Sequence, residues 1–373
     1  MKRTGFIYDE RCFWHQAGNY AQLAPVRDHV QPMVSGGLPE APETKRRLKN
    51  LLDVTGLGNE LEMSSASPAT LEDAMLVHSV TYLEEFKALS DGNGGELGLR
   101  APFGNGALEI ALLSAGLVKE AVGKVLSGEL ENAYALSRPP GHHCLPRWPN
   151  GFCLLNNIAI ATEWALAEKL ASKVAVVDWD VHHGNGTEHI FYKRDDVLTI
   201  SIHQNRCYPP DSGFPEQIGE GAGTGFNMNI PLQPGGGHAT YLEVMERLVL
   251  PKLKQFQPDL VIVACGFDAA GFDPLARMLC SSQTYREMTT MLMEFTEGRL
   301  VAAHEGGYSE VYVPFCGHAM LEAMSGSSIR ALDPLLERLA NQQPDERMIA
   351  HFSKRITELA DFFNLRDFAT TIT

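Results

Sequence analysis

Short apolar runs alternate with longer stretches of helical periodicity along most of the chain. Seven runs rich in Val, Ile and aromatic residues predict strands: "TGFIYD", "ENAYALS", "KVAVVDWD", "VLTISIH", "FNMNIPL", "DLVIVACGFD" and "GRLVAAHEGG". Five stretches with helical spacing of apolar residues predict helices over residues 108–126, 156–170, 241–256, 284–297 and 345–363. Several strands are almost continuously apolar, which is typical of a sheet covered by helices on both faces. The pattern predicts one α/β domain over residues 1–373 with a mostly parallel sheet.

Three long loops rich in Gly and Pro follow predicted strands. They are "RPPGHHCLPRWPNGF", "HQNRCYPPDSGFPEQIGEGAGTG" and "GFDAAGFDPLARM". Ligand sites in open α/β sheets lie outside the carboxyl ends of the strands. Because each loop carries His or Asp just past its strand, we expect a functional site at that edge of the sheet.

The stretch "AVVDWDVHHGNGTEHI" begins as a buried strand and ends in alternating polar residues. Asp178, Asp180 and His182 alternate, so their side chains point in related directions. Asp268 follows its own strand at the equivalent place. Carboxylates and imidazole are ligands for divalent metals, and three protein ligands leave a coordination position open for catalysis. The sequence therefore predicts a catalytic metal held by Asp180, His182 and Asp268.

Other strand ends supply further candidate groups. "SRPPGHHC" presents His142 and His143, and imidazole is a suitable general base near neutral pH. "AAHEGGYSE" presents Tyr308, whose hydroxyl can donate to a developing oxyanion. Asp273 precedes a proline, and we expect it to cap the next helix.

Composition excludes several classes of function. The chain has 31 basic and 46 acidic residues and a formal charge of −15, so no nucleic-acid footprint is expected. No apolar run is long enough to cross a bilayer, so no membrane partner is expected. Seven scattered cysteines favour a reducing compartment, and no signal peptide or bilayer-spanning run is recognisable. We therefore expect a cytoplasmic protein. Walker, Rossmann, GxSxG and HExxH signatures are missing.

These motifs resemble the zinc-dependent histone deacetylase family, which shares its fold with arginase. The resemblance extends over "HSVTYLEEF", "SRPPGHHC", "NGFCLLNNIAIA", "VDWDVHHGNGT", "LTISIHQ", "GFDAAGFDPLA" and "HEGGYS". "HHGNGT" and "GFDAA" are similar to the class II branch. "RCFWHQ" and "PETKRRL" are similar to its bacterial histone-deacetylase-like amidohydrolases. The resemblance implies an eight-stranded parallel sheet flanked by helices, with one Zn²⁺ at the base of a narrow tunnel.

The resemblance also implies a role for each candidate residue. It implies zinc ligands at Asp180, His182 and Asp268, a general base at His143 partnered by His142, a buried carboxylate at Asp178, an orienting amide at Asn185 and an oxyanion donor at Tyr308. It implies a structural potassium ion held by carbonyls of Asp178, Asp180, His182 and Ile202 with the Ser201 hydroxyl. It implies tunnel walls at Phe152 and Tyr208, with Gly151 beside them and Leu275 at the rim.

The leading hypothesis is hydrolysis of an acetyl or other acyl amide on an N-acetyl-lysine-like amine, which releases acetate. An acetylpolyamine or another small amide is an alternative substrate for the same site. Apolar Leu275 favours the lysine-like class, because a polyamine enzyme would be expected to carry an acidic gate there. A binuclear manganese ureohydrolase and a non-enzymatic acyl-binding protein are further alternatives. The long N-terminal and loop segments favour a homo-oligomer.

Overall fold

Eight parallel strands form a single sheet in this computed structural model, which describes residues 3–15 and 39–365 and the backbone of residues 20–21 and 24–25. The strands are β1 (Thr4–Ile7), β2 (Glu62–Ser64), β3 (Asn132–Ala135), β4 (Val174–Asp178), β5 (Val197–Gln204), β6 (Asn227–Leu232), β7 (Leu260–Cys265) and β8 (Leu300–His304). Their order across the sheet is β6-β5-β4-β7-β8-β3-β1-β2. Every neighbouring pair is parallel.

All seven predicted strands are present, which confirms the α/β prediction. Strands such as β4 and β7 are buried along their whole length, because helices cover both faces of the sheet. The eighth strand, β2, escaped the hydrophobic pattern because it has three residues and pairs only at the edge of the sheet, where Glu62 and Met63 are exposed. The eight-stranded parallel sheet that the resemblance implied is therefore confirmed.

Twelve α-helices are present in the described part of the chain. They are α1 (Glu43–Thr55), α2 (Leu71–Met75), α3 (Val80–Asp91), α4 (Ala107–Leu126), α5 (Asn157–Ala167), α6 (Asn185–Phe191), α7 (His238–Val244), α8 (Leu250–Phe256), α9 (Ser282–Phe295), α10 (Val313–Ser325), α11 (Leu336–Asn341) and α12 (Glu346–Phe362). The predicted helices correspond to α4, α5, α9, α12 and the joined pair α7–α8. That pair begins at His238, earlier than predicted, and contains a π-helical turn at Met245–Val249.

The order of the strands creates a crevice beside the end of β4. The chain runs outward from β4 through β5 to β6, then returns to place β7 on the other side of β4. The loops after β4 and β7 therefore leave two neighbouring strand ends in different directions. Open α/β sheets bind ligands in the crevice between such loops. In the register of the sheet, Asp178 at the end of β4 lies between Ser201 of β5 and Ala264 of β7.

Two further features bear on the sequence predictions. All seven cysteines are free thiols, as their odd number and scatter suggest. Among the helices that the structure describes, none combines the length and apolar character needed to cross a bilayer. The described residues form a single α/β domain, and its extension over all of residues 1–373 stays a prediction.

Candidate active site

The predicted metal ligands come together where β4 and β7 end. The Nδ1 atom of His182 lies 3.0 Å from Asp180 Oδ1 and 3.1 Å from Asp268 Oδ2. One ligand atom from each residue lies within 4.8 Å of the others, and all three residues are buried. Two carboxylates and an imidazole at this spacing fit the donor set of a divalent metal such as zinc.

The backbone fixes the carboxylates of this cluster in place. The Val181 N–H donates to Asp268 Oδ1 at 2.7 Å, and the Gly306 N–H donates to Asp180 Oδ2 at 2.8 Å. A Cβ at Gly306 would lie 2.2 Å from Asp268 Oδ2 and 2.5 Å from Asp180 Oδ2, so only glycine allows this approach. The first glycine of the "EGG" motif, Gly306, therefore explains why the backbone passes so close to the ligands.

The pKa values in the cluster show that it attracts positive charge. Burial and the neighbouring Asp180 raise the pKa of Asp268 to about 6. Burial alone lowers the pKa of His182, but its hydrogen bonds with Asp180 and Asp268 outweigh burial and raise that pKa well above its usual value. A proton on His182 occupies the position between the carboxylates that a bound cation would otherwise fill.

The two predicted histidines lie beside this cluster in the turn after β3. Their rings are 4.0 Å apart between centroids. His142 Nδ1 contacts Asp178 Oδ2 at 2.9 Å, and His143 Nδ1 contacts Asn185 Oδ1 at 2.8 Å. Because a carboxylate or amide oxygen only accepts, each Nδ1 carries its proton and donates. His143 Nε2 is therefore left as an acceptor.

Different neighbours move the pKa values of these histidines in opposite directions. Burial would lower the pKa of His142, but Asp180 and Asp178 outweigh it and raise that pKa to about 10. Burial, together with the positive charges of His142 and His182, lowers the pKa of His143 well below its usual value. The pair thus combines a charged histidine with a neutral one.

Glu305, which the sequence analysis did not single out, supports the turn that carries both histidines. Its Oε2 accepts from the backbone N–H of Gly141 at 2.6 Å and of His142 at 3.1 Å. The side chain is fully buried, and burial raises the pKa of its carboxyl to about 7. The signal was an acidic residue directly after β8, in "HEGGYS", at the same edge of the sheet as the metal-ligand candidates.

The prediction that Asp273 caps a helix was wrong. No helix begins after it within residues 274–281, and the next helix, α9, is capped by Ser281. Asp273 instead accepts from the backbone N–H of Leu275 and of Tyr308, each at 2.8 Å. The proline that suggested a cap lies in a turn, where the carboxylate joins two loops of the site.

The predicted tunnel residues surround one cavity. Its described lining consists of Arg100, His143, Gly151, Phe152, His182, Cys207, Tyr208, Leu275 and Tyr308. Phe152 packs with Leu275 and Tyr308, and the ring of Tyr208 lies 5.0 Å from that of His143 between centroids. A Cβ at Gly151, where φ is +50°, would lie 2.4 Å from the His143 ring. Arg100 and Cys207 were not predicted.

The predicted potassium ligands are also neighbours. Asp178 of β4 pairs with Ser201 of β5, and all five residues are buried. The Ser201 hydroxyl contacts His203 Nδ1 at 3.0 Å, and His203 Nε2 donates to the Gly213 carbonyl at 3.0 Å. Since Nε2 holds the proton, His203 Nδ1 accepts from Ser201, and the hydroxyl oxygen keeps lone pairs for a cation. Potassium binding itself stays a prediction.

Comparison with known proteins places this geometry in a family. The histone deacetylase domain family matches residues 38–324. A "Histone deacetylase-like amidohydrolase" of Pseudomonas aeruginosa is 54% identical over 368 residues, covering 98% of this chain and 97% of its own length. A "Probable deacetylase" of Archaeoglobus fulgidus is 36% identical over 324 residues, covering 83% and 89%. The crystal structure of the HDA15 HD domain superposes with a TM-score of 0.81 at 29% identity, covering 96% and 98%.

Proposed function

Since this chain belongs to the histone deacetylase family, we propose that it is a zinc-dependent amidohydrolase that removes acetyl groups from N-acetyl-lysine-like amines and releases acetate. The observation that carries the proposal is the buried cluster of Asp180, His182 and Asp268 at the base of an aromatic-lined cavity. The cluster is adjacent to a histidine whose Nε2 is free to accept a proton.

The three clustered residues are the ones that would hold zinc. Their two carboxylates and one imidazole leave positions for water and substrate, as catalytic zinc sites require. When bound, Zn²⁺ supplies Lewis acidity that polarises a carbonyl group and makes water more acidic. The hydrogen bonds from Val181 and Gly306 hold the outer carboxylate oxygens, so the ligand atoms are oriented before any ion arrives.

The protein's own residues would move the protons. His143 Nε2 takes a proton from the attacking water, while its Nδ1–H stays bound to Asn185. Since Asn185 is neutral, it orients His143 without adding negative charge beside it. His143 then returns the proton to the leaving amine nitrogen. His142, held by Asp178, provides positive charge next to this transfer.

Tyr308 would donate to the oxygen that becomes negative when water attacks. It lines the cavity, and its ring lies 6.1 Å from the ring of His182 between centroids. Its backbone is fixed through Asp273. A hydroxyl in this position favours the transition state over the planar amide, because the oxygen carries full charge only after attack.

The cavity walls favour a linear substrate stem. Phe152 and Tyr208 offer apolar ring faces along which a methylene chain can be desolvated. No carboxylate is among the described residues that line the cavity, so an acetylpolyamine finds no partner there for its distant ammonium. We therefore propose acyl-lysine-like amides ahead of acetylpolyamines as substrates. A structural potassium ion, a homo-oligomeric state and a cytoplasmic location are further parts of the proposal.

The test is acetate release by metal-stripped protein reconstituted with zinc, manganese or no metal. We expect one zinc per chain and hydrolysis of an acetyl-lysine peptide. Hydrolysis of acetylspermidine, measured in parallel as kcat/KM, should be slower. Two manganese ions per chain with urea release from a guanidino substrate would instead support the ureohydrolase alternative. Stoichiometric zinc without release of acetate from any acetylated amine would contradict the proposal.

A further inference from the structure

Arg100 places a guanidinium on the wall of the substrate cavity. Its guanidinium carbon lies 5.3 Å from the centroid of the Tyr208 ring. The guanidinium makes no ion pair or hydrogen bond with any residue in the described ranges. Buried or half-buried arginines are normally paired, because the guanidinium offers five N–H donors. Those donors are thus available to a ligand.

The backbone holds Arg100 in an unfavourable conformation. Its φ is +56°, in the left-handed region that non-glycine residues seldom adopt. Two hydrogen bonds fix this turn: the Ala101 N–H donates to Glu96 at 3.1 Å, and the Phe152 N–H donates to the Arg100 carbonyl at 2.8 Å. Strain of this kind is retained at ligand sites, where it aims a side chain. The second bond joins Arg100 directly to a residue of the cavity wall.

The guanidinium and the metal-ligand cluster both lie close to the ring of Tyr208. The Tyr208 ring lies 6.2 Å from the His182 ring and 5.3 Å from the guanidinium carbon of Arg100. Both groups are therefore neighbours of the same aromatic ring. An extended lysine stem can lie along this ring, with its acetamide at the cluster and its α-carboxylate at Arg100.

We propose that Arg100 binds a carboxylate at the far end of the substrate stem. This inference rests on the proposed function and narrows it. The preferred substrates are N-acyl amino acids in which a linear stem joins the acyl amide to a free carboxylate, as in acetyl-lysine with a free carboxyl group. Guanidinium binds carboxylate through paired hydrogen bonds. The same positive charge repels the ammonium of an acetylpolyamine.

The overall negative charge of the protein does not reverse this preference. The formal charge of −15 is distributed over the whole chain. Exposed charges are screened over about 8 Å at physiological ionic strength, whereas a contact with Arg100 involves no intervening solvent. The local cation therefore decides which end group is stable inside the cavity.

The test uses three acetamides that share one stem but differ in the end group. They are 6-acetamidohexanoate, its neutral primary amide, and N-acetyl-1,5-diaminopentane. The zinc-loaded protein should show the highest kcat/KM for the carboxylate and the lowest for the ammonium compound. Arg100→Gln should lower kcat/KM for the carboxylate by about tenfold while leaving the neutral amide almost unchanged. Arg100→Lys, which keeps the charge, should retain most of the preference.

Arg206→Gln is the matched control. Arg206 has φ of +55° and a guanidinium carbon 5.1 Å from the Phe214 ring centroid, but it is not among the residues that line the cavity. It should keep the wild-type order of substrates. Unchanged substrate ratios in Arg100→Gln, or an equal loss of preference in Arg206→Gln, would overturn the proposal.

Calorimetry with unreactive ketone analogues separates this inference from the proposed function. In 8-oxononanoate and 8-oxononanamide a methylene replaces the amide nitrogen, so neither is hydrolysed. Tighter binding of the carboxylate to wild type, lost in Arg100→Gln, supports the carboxylate site even if no acetamide is cleaved; in that case only the amidohydrolase activity fails. Equal binding of both ketones to the two proteins overturns the role of Arg100.

Discussion

Two buried charged clusters in this protein have opposite balances of charge. In the first, Glu40 lies 3.0 Å from Lys45 Nζ and 3.1 Å from Arg138 Nε, and all three side chains are at most 1% exposed. In the second, His182 is the shared partner of two carboxylates, Asp180 and Asp268. The first cluster has two cations for one carboxylate. The second has two carboxylates for one imidazole.

Further polar contacts stabilise the surplus positive charge of the first cluster. Arg138 also donates to the backbone carbonyls of Cys12 and His15, each at 3.0 Å. Its surplus charge is therefore solvated by carbonyl dipoles within the protein. In the metal-ligand cluster, backbone N–H groups donate to both carboxylates, yet one oxygen of each carboxylate still faces His182 Nδ1.

The pKa values of the carboxyl groups in the two clusters differ in the same sense as their charge balance. Burial raises the pKa of both Glu40 and Asp268. At Glu40 the charges of Arg138 and Lys45 outweigh burial, and the pKa falls to about 2. At Asp268 the neighbouring Asp180 adds to burial, and the pKa rises to about 6. Glu40 and Asp268 are equally buried, so their charged neighbours cause the difference. Glu40 belongs to a structural ion cluster, whereas Asp268 belongs to a site that attracts a cation.

Removing a metal ligand should have the largest effect. Asp268→Ala, like Asp180→Ala or His182→Ala, should abolish metal binding and acetate release, because three ligands leave no replacement. Zinc per chain, measured by mass spectrometry, and acetate release check this. Asp91→Asn, on the exposed Lys87–Asp91 pair, is the control and should change neither quantity. Full zinc occupancy in Asp268→Ala would remove that residue from the ligand set.

Neutralising Glu40 should lower stability without affecting zinc. Glu40→Gln leaves Lys45 and Arg138 buried without their anion, which should lower the free energy of unfolding by about 3–5 kcal/mol. Asp268→Asn in the metal-free protein should instead leave that free energy unchanged or raise it, because it removes a repulsive charge. Urea unfolding of both variants checks the contrast. Equal destabilisation by the two substitutions would show that the clusters are energetically alike.

The same cluster predicts a dependence of stability on pH. The folded pKa of Glu40, about 2, lies below the ordinary value of 4.5. Its contribution should therefore be complete above about pH 4.5 and disappear as the pH falls through about 2. The difference in urea midpoint between wild type and Glu40→Gln should shrink over that range. A difference that stays constant down to pH 2 would argue against a charged Glu40.

Replacing Tyr308 by Phe should lower kcat by roughly 10²–10³-fold with zinc content unchanged, because one oxyanion donor is lost. The ring is kept, so its packing against Phe152 is preserved. Tyr312→Phe, which removes another tyrosine hydroxyl from the same loop, is the control for a general effect on the fold, and it should leave the affinity for zinc unchanged. An unchanged kcat in Tyr308→Phe would exclude the hydroxyl from the mechanism.

The sequence predicted the strands and their edge better than the contacts between loops. β4 and β7 were visible because buried parallel strands are continuous apolar runs, and the polar residues directly after them had to meet at one edge. By contrast, β2 has three residues, two of them exposed, so no pattern marks it. Helix α1 was missed because its sequence, "ETKRRLKNLLDVT", is dominated by charged residues that obscure the buried face formed by Leu48 and Leu52.

Contacts between loops depend on tertiary structure, and local rules misjudged them. Asp273 before proline matches a helix cap, yet its carboxylate bridges two loops that are 35 residues apart in sequence. Arg100 ends the glycine-rich segment "GGELGLR", which carries no motif that singles it out. Its place on the cavity wall depends on hydrogen bonds from the Gly151 N–H to the Leu99 carbonyl and from the Phe152 N–H to the Arg100 carbonyl, which no local pattern indicates.

The smallest expected effect concerns Glu305, which is as deeply buried as the metal-ligand candidates and accepts two backbone hydrogen bonds. Its Oε2 accepts from the N–H groups of Gly141 and His142, and a glutamine carbonyl can accept the same bonds. Glu305→Gln should therefore lower kcat by less than tenfold, whereas Glu305→Ala should lower it by about 10–100-fold through displacement of the two histidines. Zinc content should be unchanged in both variants. If Glu305→Gln were as damaging as Glu305→Ala, the charge of Glu305 would matter more than its hydrogen bonds, and the carboxylate would belong with the charged groups of the site.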